Sequence, residues 1–479
     1  MENFQENNDT YPEFRYKVGS IMEQGVVTTS ENMDEASQRN LMNGKRIIVV
    51  GGGSYRLRNI WQDAAKYGIE VILVEADSQH IAKDHVPRFI HYDFSDHKID
   101  DMHAVEIVSL IHDHGIKADG CLSFSDECVA LATLINEKLG TKGPSFKAMM
   151  IANSKTRTQN VLRMRGADIS HWPRTDMYST KAVYLTTEMD CDKLPDRFPA
   201  ILKLDNGTGS AGACVVENRV ELKRKFCQIT GSLRNDSDLL GIGLTQGNSM
   251  MTMEFYGGTE HTVDVIIYDS KLIAAFITDS GMTRRPFFIA TARRMPSFLS
   301  EDKQARLIEA AYRCCLQIGL SDGTFNVDFK LTENGPKLLE INSRMGGYCI
   351  RDWLRKLYGI DIMLYSLMIT SGIYPYIVLR THPVDKILIG VMVIPSLHAK
   401  ILKEESLRNL LYSMIEKEEI FFLQFLNLSE NLPPYDKPFG NITVSGSTSQ
   451  EAKLKLMEVC RVLDIDQPDY QVEQFIQNF

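Results

Sequence analysis

The chain has 479 residues, 44% hydrophobic and 24% charged, an ordinary globular composition with length for about three domains. Its net charge of −9 at pH 7 argues against nucleic-acid and membrane-surface partners, because phosphate backbones and anionic headgroups recruit basic patches. Any anion it binds must be held by a local cluster of donors working against the overall field.

Nine cysteines, an odd number with no C-x-x-C spacing, predict free thiols in a reducing compartment. The most apolar run, Ile360 to Leu379, is interrupted by Asp361, Ser366, Gly372 and Pro375, and falls short of the ~18–20 uninterrupted apolar residues of a membrane span. It reads as a buried helix followed by a loop. With no charged-then-apolar leader at the N-terminus, the expectation is a soluble, cytoplasmic protein that acts on small molecules. The residues do not fix the oligomeric state, and a homo-oligomer stays open.

Residues 1–43 are polar, amide-rich and aperiodic, which predicts a mobile tail. Arg46–Val50 is an apolar strand running into Gly51-Gly52-Gly53-Ser54, followed by a helical stretch to Tyr67 and a second strand from Ile69 to Val74. This is a βαβ unit. The glycines do not make the G-x-G-x-x-G dinucleotide fingerprint, because Arg56 stands where its last glycine belongs. They read instead as a tight exit from a strand at the mouth of an open sheet. Further α/β material follows: a helix before Gly115, a strand over 118–124 and a helix over 126–139. Ser154 caps a helix that begins near Lys155 and ends about position 165. A strand over 198–204 leads into the glycine-rich segment 206–212. Past Pro383, a strand at 387–394, a strand at 440–446 and a helix at 449–463 form a last α/β segment.

The sharpest chemical signal lies between Thr324 and Gly347. Phe325, Val327, Phe329 and Leu331 alternate with Asn326, Asp328 and Lys330, the period of a strand with one buried face. The turn Asn334-Gly335 returns the chain along a second strand, 337–342, on which Glu340 and Asn342 leave the same side. If Asp328 shares that side, Asp328, Glu340 and Asn342 form the oxygen-only donor set that Mg²⁺ prefers, with Mn²⁺ as an alternative. Arg344 lies two residues beyond and can reach a phosphoryl oxygen from there. Lys203 ends an apolar strand ahead of Gly207-Thr208-Gly209-Ser210, whose backbone N–H groups can hold phosphate, although no Walker A signature closes the loop. A third stretch, Met253-Glu254-Phe255-Tyr256-Gly257-Gly258-Thr259-Glu260, suits a hinge that pairs its backbone with adenine and offers Glu260 to ribose hydroxyls.

Taken in order, Lys155, Lys203 with its glycine loop, Met253 to Glu260, Asp328 and Glu340-x-Asn342-x-Arg344 resemble the ATP-grasp ligases. Within them, the stretches 253–264, 314–326 and 340–361 resemble carnosine synthases, specifically their C-terminal, catalytic half. The resemblance implies an α/β protein: a Rossmann-like pre-ATP-grasp domain over 44–147, an ATP-grasp core of two α+β subdomains over 148–380 and a small C-terminal α/β domain over 381–479. It implies ATP and Mg²⁺ as cofactors, and ligation of β-alanine or a similar ω-amino acid to the amine of L-histidine, with release of ADP and phosphate. Lys155, Lys203, Gly207, Gly209, Ser210, Met253, Glu254, Tyr256 and Glu260 would then bind ATP. Asp328, Glu340 and Asn342 would hold the metal, and Arg344 and Lys203 would act in catalysis.

Four positions depart from the family pattern. Asp328 stands where glutamate is usual. Ala290 replaces a glutamate in the substrate loop that carries Arg284, Arg285 and Arg293, and Arg293-Arg294 replace small residues or histidine. Losing an acid while gaining cations points to a more acidic substrate pair as the alternative. A nucleotide-binding regulatory protein without catalysis is the competing class.

Overall fold

The computed structural model describes residues 35–53, 57, 60–164, 175–207, 210, 212–232, 249–284, 288–377, 385–426 and 437–479. Four short parallel strands make the first sheet, β1 (Arg46–Val50), β2 (Glu70–Glu75), β3 (Arg88–His91) and β4 (Gly120–Leu122), in the order β3-β2-β1-β4. A second sheet is antiparallel: β5 (Ala182–Leu185), β6 (Ala200–Leu204), β7 (Cys214–Val216) and β8 (Met250–Glu254), ordered β5-β8-β6-β7. The third holds β9 (Thr259–Tyr268), β10 (Lys271–Ser280), β11 (Ala292–Met295), β12 (Gly323–Thr332), β13 (Gly335–Asn342), β14 (Ile387–Val393), β15 (Phe421–Gln424) and β16 (Gly440–Gly446). Its order is β13-β12-β9-β10-β11-β14-β16-β15, so the strands after position 385 extend the same sheet as the central hairpins through the β11–β14 pairing.

The glycine run behaves as a strand exit. Gly51 N–H donates to the Val74 carbonyl at 2.9 Å and Gly52 N–H to the Glu75 carboxylate at 2.5 Å, which locks the end of β1 against the end of β2. A Cβ on Gly52 would lie 2.3 Å from the His80 ring, so no larger residue fits. The expected tail overlaps an ordered element. Glu35–Met42 is a helix whose Gln38 and Met42, four residues apart on one face, are buried, with the Gln38 amide donating to the Tyr376 carbonyl.

The apolar run after Ile360 is a buried helix, Ile362–Thr370, with every residue except Ser366 inside. It is apolar all round because it is packed all round. Together with the helix Ile350–Tyr358 it shares one core with Ile47, Val49, Trp61 and Leu73, joining the parallel sheet to the region that follows β13. The open edge of β4 is closed by side chains: the Asn136 amide and the Thr370 hydroxyl both donate to the Cys121 carbonyl, at 2.6 and 2.8 Å. All nine cysteines are free, and only Cys227 is exposed. Among the described residues no helix is long and apolar enough to cross a membrane.

An ion cluster fastens the same junction. Arg351 donates to Asp361 at 2.7 and 2.6 Å and to Asp63 at 2.7 Å, and Arg355 adds a contact to Asp63 at 3.1 Å. Burial alone would push Asp63 up, but the Lys66 hydrogen bond and the Arg351 and Arg355 guanidinium groups outweigh it and hold the carboxyl below its usual range. Replacing Arg351 by Met takes both close hydrogen bonds from the buried Asp361 and leaves Asp63 to Lys66 and Arg355, and should cost about 3 kcal/mol in urea denaturation. Asp63 has a lower pKa folded than unfolded, so its contribution is present above the unfolded value of about 3.9 and is lost as pH falls through the folded one. The wild-type protein should lose stability on acidification in that window, and Arg351→Met should show a flatter acid limb.

Candidate active site

Three strands present polar residues in register on one face. Asn326 on β12 stands between Asp264 on β9 and Asn342 on β13; one step along, Asp328 stands between Thr262 and Glu340. Hydrogen bonds knit the rows together. The Asn326 amide donates to Asp264 at 2.8 Å, the Asn342 amide donates to Asn326 Oδ1 at 3.2 Å and to Asp328 at 3.4 Å, and the Thr262 hydroxyl donates to Asp328 at 2.6 Å. Leu338 and Glu340, two apart, would normally share a side, yet Leu338 is fully buried in the core while Glu340 faces the site. The register shift between Asp328 and Phe329 explains this: Glu340 pairs with Asp328 and Leu338 with Phe329, leaving Leu339 as an extra residue. That bulge turns the strand by one side chain and lets core and site alternate correctly on both sides of it.

Cations close over this acidic face. Lys203 donates to the carbonyl of the bulged Leu339 at 3.3 Å. Lys155 reaches Glu340 at 3.1 Å and the Gly207 carbonyl at 2.6 Å, tying the glycine loop to the carboxylate row. Its helix, Lys155–Arg163, is capped as expected by Ser154, which accepts from the Arg157 N–H, and also by Asp205, which accepts from the Thr156 N–H at 2.7 Å and from the Ser154 hydroxyl at 2.5 Å. Arg344 is fixed by Asp126 at 2.7 Å and by the Met345 carbonyl at 2.9 Å. Arg293 crosses from β11 to the Thr262 hydroxyl at 3.3 Å and lies over the Tyr348 ring, with its Nε buried and without a partner among the described residues.

Thr262, Asn326, Asp328, Glu340, Asn342 and the four cations Lys155, Lys203, Arg293 and Arg344 line one cavity of about 510 Å³, with Asp264 behind it; the cavity is bordered by the parallel sheet at Gly53 and Phe124–Glu127, by the second sheet at Ile201 and Met253, and by Phe425 and Lys437 from the C-terminal segment. Ligand pockets commonly form at such junctions. Burial and the Glu340 charge push Asp328 up, whereas Lys155 and Lys203 pull Glu340 down against its own burial. Burial, aided by Asp328, pushes Asp264 up to about 7, and its Oδ2 has no partner among the described residues. Burial brings Lys203 down to about 8, with Glu340 resisting. Two carboxylates side by side in a dry face repel each other unless a cation joins them. The donors fit a hard cation: two carboxylates and the amide oxygen of Asn342, whose nitrogen is already engaged. Among the described residues no group of three His, Cys, Asp or Glu makes a self-sufficient metal cage. That suits Mg²⁺, which usually takes one or two carboxylates and completes its shell with water and phosphate.

The other predicted positions divide. Gly207, Ser210, Met253, Glu260, Ala290 and Arg293 line the cavity; Glu254, Tyr256 and Arg284 are not among the lining residues. Tyr256 donates its hydroxyl to Glu254 at 2.7 Å, and Glu260 is paired with Lys330 at 3.0 Å. Arg284 closes the substrate loop through reciprocal backbone bonds with Ile289. Arg294, next to Arg293, is on the opposite side of β11, buried over the Phe298 ring. Gly209 and Arg285 lie outside the described residues.

Sequence reasoning missed Asp126, Asp205, Asp264 and Asn326. The first follows a parallel strand end, where ligands of open α/β sheets bind, and that was the available signal. Asp264 and Thr262 continue from Glu260 the same two-residue alternation that picked out the polar face of β12 and β13. Gly346 belongs to the same network, since a Cβ there would sit 2.4 Å from Asp264 Oδ1.

Comparison with solved structures decides the fold. An L-amino acid ligase from Bacillus licheniformis superposes with a TM-score of 0.70 over 88% of this chain and 98% of that one, at 16% identity. The family model described as "ATP-grasp in the biosynthetic pathway with Ter operon" matches residues 246–354. The chain has the ATP-grasp fold. A biotin carboxylase domain of 2-oxoglutarate carboxylase from Hydrogenobacter thermophilus, solved with MgADP, ADP and bicarbonate, shares this ATP-grasp architecture with a TM-score of 0.61 over 87% of this chain and 89% of that one, at 14% identity. In sequence the chain resembles carnosine synthase 1 from Mus musculus, with 37% identity over 466 residues, covering 96% of this chain and 55% of that protein. It spans about half the length of the curated relatives it matches.

The electrostatics of this ATP-grasp face predict how it responds to a cation. Asp328→Asn should raise the thermal midpoint of the metal-free protein by removing like-charge repulsion. Mg²⁺ should raise the midpoint of the wild type through linkage and leave an Asp328→Asn/Glu340→Gln double variant unmoved. Equal shifts in both proteins would place the cation elsewhere.

Proposed function

We propose that this chain is an ATP-dependent ligase that activates a carboxylate as an acyl phosphate and joins it to an amine, with β-alanine or a similar ω-amino acid and L-histidine as the substrate pair. The observation that carries the reading is one cavity in which the oxygen donors Asp328, Glu340 and Asn342 face Lys155, Lys203 and Arg344. The likeness to carnosine synthase 1 supports the choice of substrates.

In this reading Lys155, Lys203 and the backbone of the 207–212 loop hold the ATP phosphates, Met253 borders the base and Glu260 takes the ribose. Asp328, Glu340 and Asn342 would hold Mg²⁺, which when bound would neutralise charge on the phosphates. A substrate carboxylate oxygen attacks the γ-phosphorus and ADP leaves with the bond's electrons. The amine nitrogen then attacks the acyl carbon, phosphate departs with the C–O pair, and the amine proton passes to solvent or phosphate. Arg344, pre-oriented by Asp126, stabilises the oxygens that gain charge in both steps. Walls drawn from three sheet regions keep water from the acyl phosphate.

The test is phosphate release from ATP and Mg²⁺ across pairs of amino acids and amines, with products weighed by mass spectrometry. A dipeptide from β-alanine and histidine as the strongest signal supports the full reading. Turnover with another pair keeps the ligase and replaces the substrates, and no turnover with any pair sinks it. Arg344→Ala should lower kcat by about 10²–10³-fold, the usual cost of losing one transition-state donor. Asp126→Asn should lower kcat less, because Arg344 stays present but loses its orientation.

A second reading has its own observation. Arg293 faces the cavity beside Ala290 with no carboxylate partner among the described residues, so an additional acid on the amine substrate would find a cation there. Under it, acidic amine substrates should outcompete histidine, and Arg293→Ala should reverse that order. An Arg293→Ala enzyme with unchanged relative preference refutes this second reading.

A further inference from the structure

We propose that Glu127 is the residue that recognises the ammonium group of the carboxylate-donating amino acid. The inference rests on the ligase reading above. Glu127 follows β4 on the parallel sheet and lines the same cavity as Arg344, Arg293 and Glu340. It is half-buried, and its only hydrogen bond among the described residues comes from its own backbone N–H. Every other acid in this part of the site has a task. Asp126 is spent on Arg344, Glu340 on Lys155, Glu260 on Lys330, and Asp328 accepts from Thr262. Among the described residues that line the cavity, Glu127 alone offers a carboxylate with no side-chain partner.

A half-buried carboxylate without a partner is costly and calls for a cation. Burial, with the neighbouring Asp126 charge, pushes its carboxyl up, and the more distant Lys437 and His97 do not offset this. An arriving ammonium would both pair with it and return it to the charged form. Placement fits as well. Asp126, Glu127 and Arg344 all line the one cavity, so a substrate whose carboxylate rests on the Arg344 that Asp126 holds can turn its other end toward Glu127. The substrate loop carries Ala290 at the cavity wall, with no acid there to do this work.

Recognition of this kind discriminates an amino acid from its des-amino analogue, because a site built around a charge–charge hydrogen bond rejects the ligand that lacks it. The experiment compares β-alanine with propionate as carboxylate donors to histidine, in the wild type and in Glu127→Gln and Glu127→Asp, with folding checked by thermal midpoint. In the wild type kcat/KM should favour β-alanine. Glu127→Gln should reduce that preference by about ten- to a hundredfold, the range of one charge-assisted hydrogen bond. The loss should appear in the β-alanine KM, with the KM for ATP nearly unchanged, and Glu127→Asp should restore part of it. A preference retained in Glu127→Gln, or a loss in kcat shared equally by both donors, overturns the proposal. Should the wild type couple neither donor, the ligase reading fails for this pair. Calorimetric binding of β-alanine with ADP and Mg²⁺ then decides Glu127 by itself: tenfold weaker binding in Glu127→Gln supports it, while equal binding, or none to the wild type, overturns it.

Discussion

The site depends on a polar face built inside a sheet whose other face is core. Hydrophobic alternation on β9, β12 and β13 fixes which side chains turn away from the core, and strand register then stacks Asp264, Asn326 and Asn342 in one row and Thr262, Asp328 and Glu340 in the next. Carboxylates held this closely need positive charge nearby, and the surrounding structure supplies it from separate elements. Lys155 comes from a helix N-terminus, Lys203 from a strand end in the second sheet, and Arg344 from the segment just past β13. The bulge at Leu339 is the device that reconciles the two demands on β13, since without it Leu338 and Glu340 would compete for one side.

The same logic explains how distant parts of the chain come to share the site. Among the described residues the parallel sheet brings no cation to the cavity, yet Asp126, past the end of β4, orients Arg344, and Asp63 meets Arg351 and Arg355 one helix further on. These ion pairs cross between regions that also share a single apolar core around Trp61, Trp353 and Leu364. Apolar burial brings the regions together without direction, and the charged pairs fix how they face each other. The C-terminal strands join by a third route, hydrogen bonding edge to edge through β11, which places Phe425 and Lys437 at the rim of the cavity.

The substrate loop shows how an arginine pair resolves in three dimensions. Arg293 and Arg294 are equivalent in composition, but strand alternation sends one over Tyr348 toward the cavity and the other over Phe298 into the interior. Asp279, opposite Arg294 in register, receives hydrogen bonds from Ser297 and Phe298 and faces His261. Arg294 therefore belongs to the support of the loop, and Arg293 is the one that faces the cavity.

Much of this was legible in the sequence, because it is local. Two-residue alternation located β12 and β13, the Asn-Gly turn joined them, and the spacing of Glu340, Asn342 and Arg344 marked a polar face that could serve phosphate and a metal. A serine ahead of Lys155 marked a helix start, and the interrupted apolar run after Ile360 marked a buried helix. The helix at Glu35–Met42 was hidden because its short amphipathic face has meaning only against the surface that covers it. Which acid answers which cation was also out of reach. Asp126 and Arg344 are 218 positions apart and Asp205 and Thr156 are 49 apart, so their pairing is set by chain packing and carries no signal in spacing. The sequence by itself determined the chemistry that the strands could offer. Only the tertiary structure decided which groups are already paired and which, like Glu127 and Arg293, line the cavity without an ion-pair partner among the described residues, because charge compensation is a property of neighbours in space.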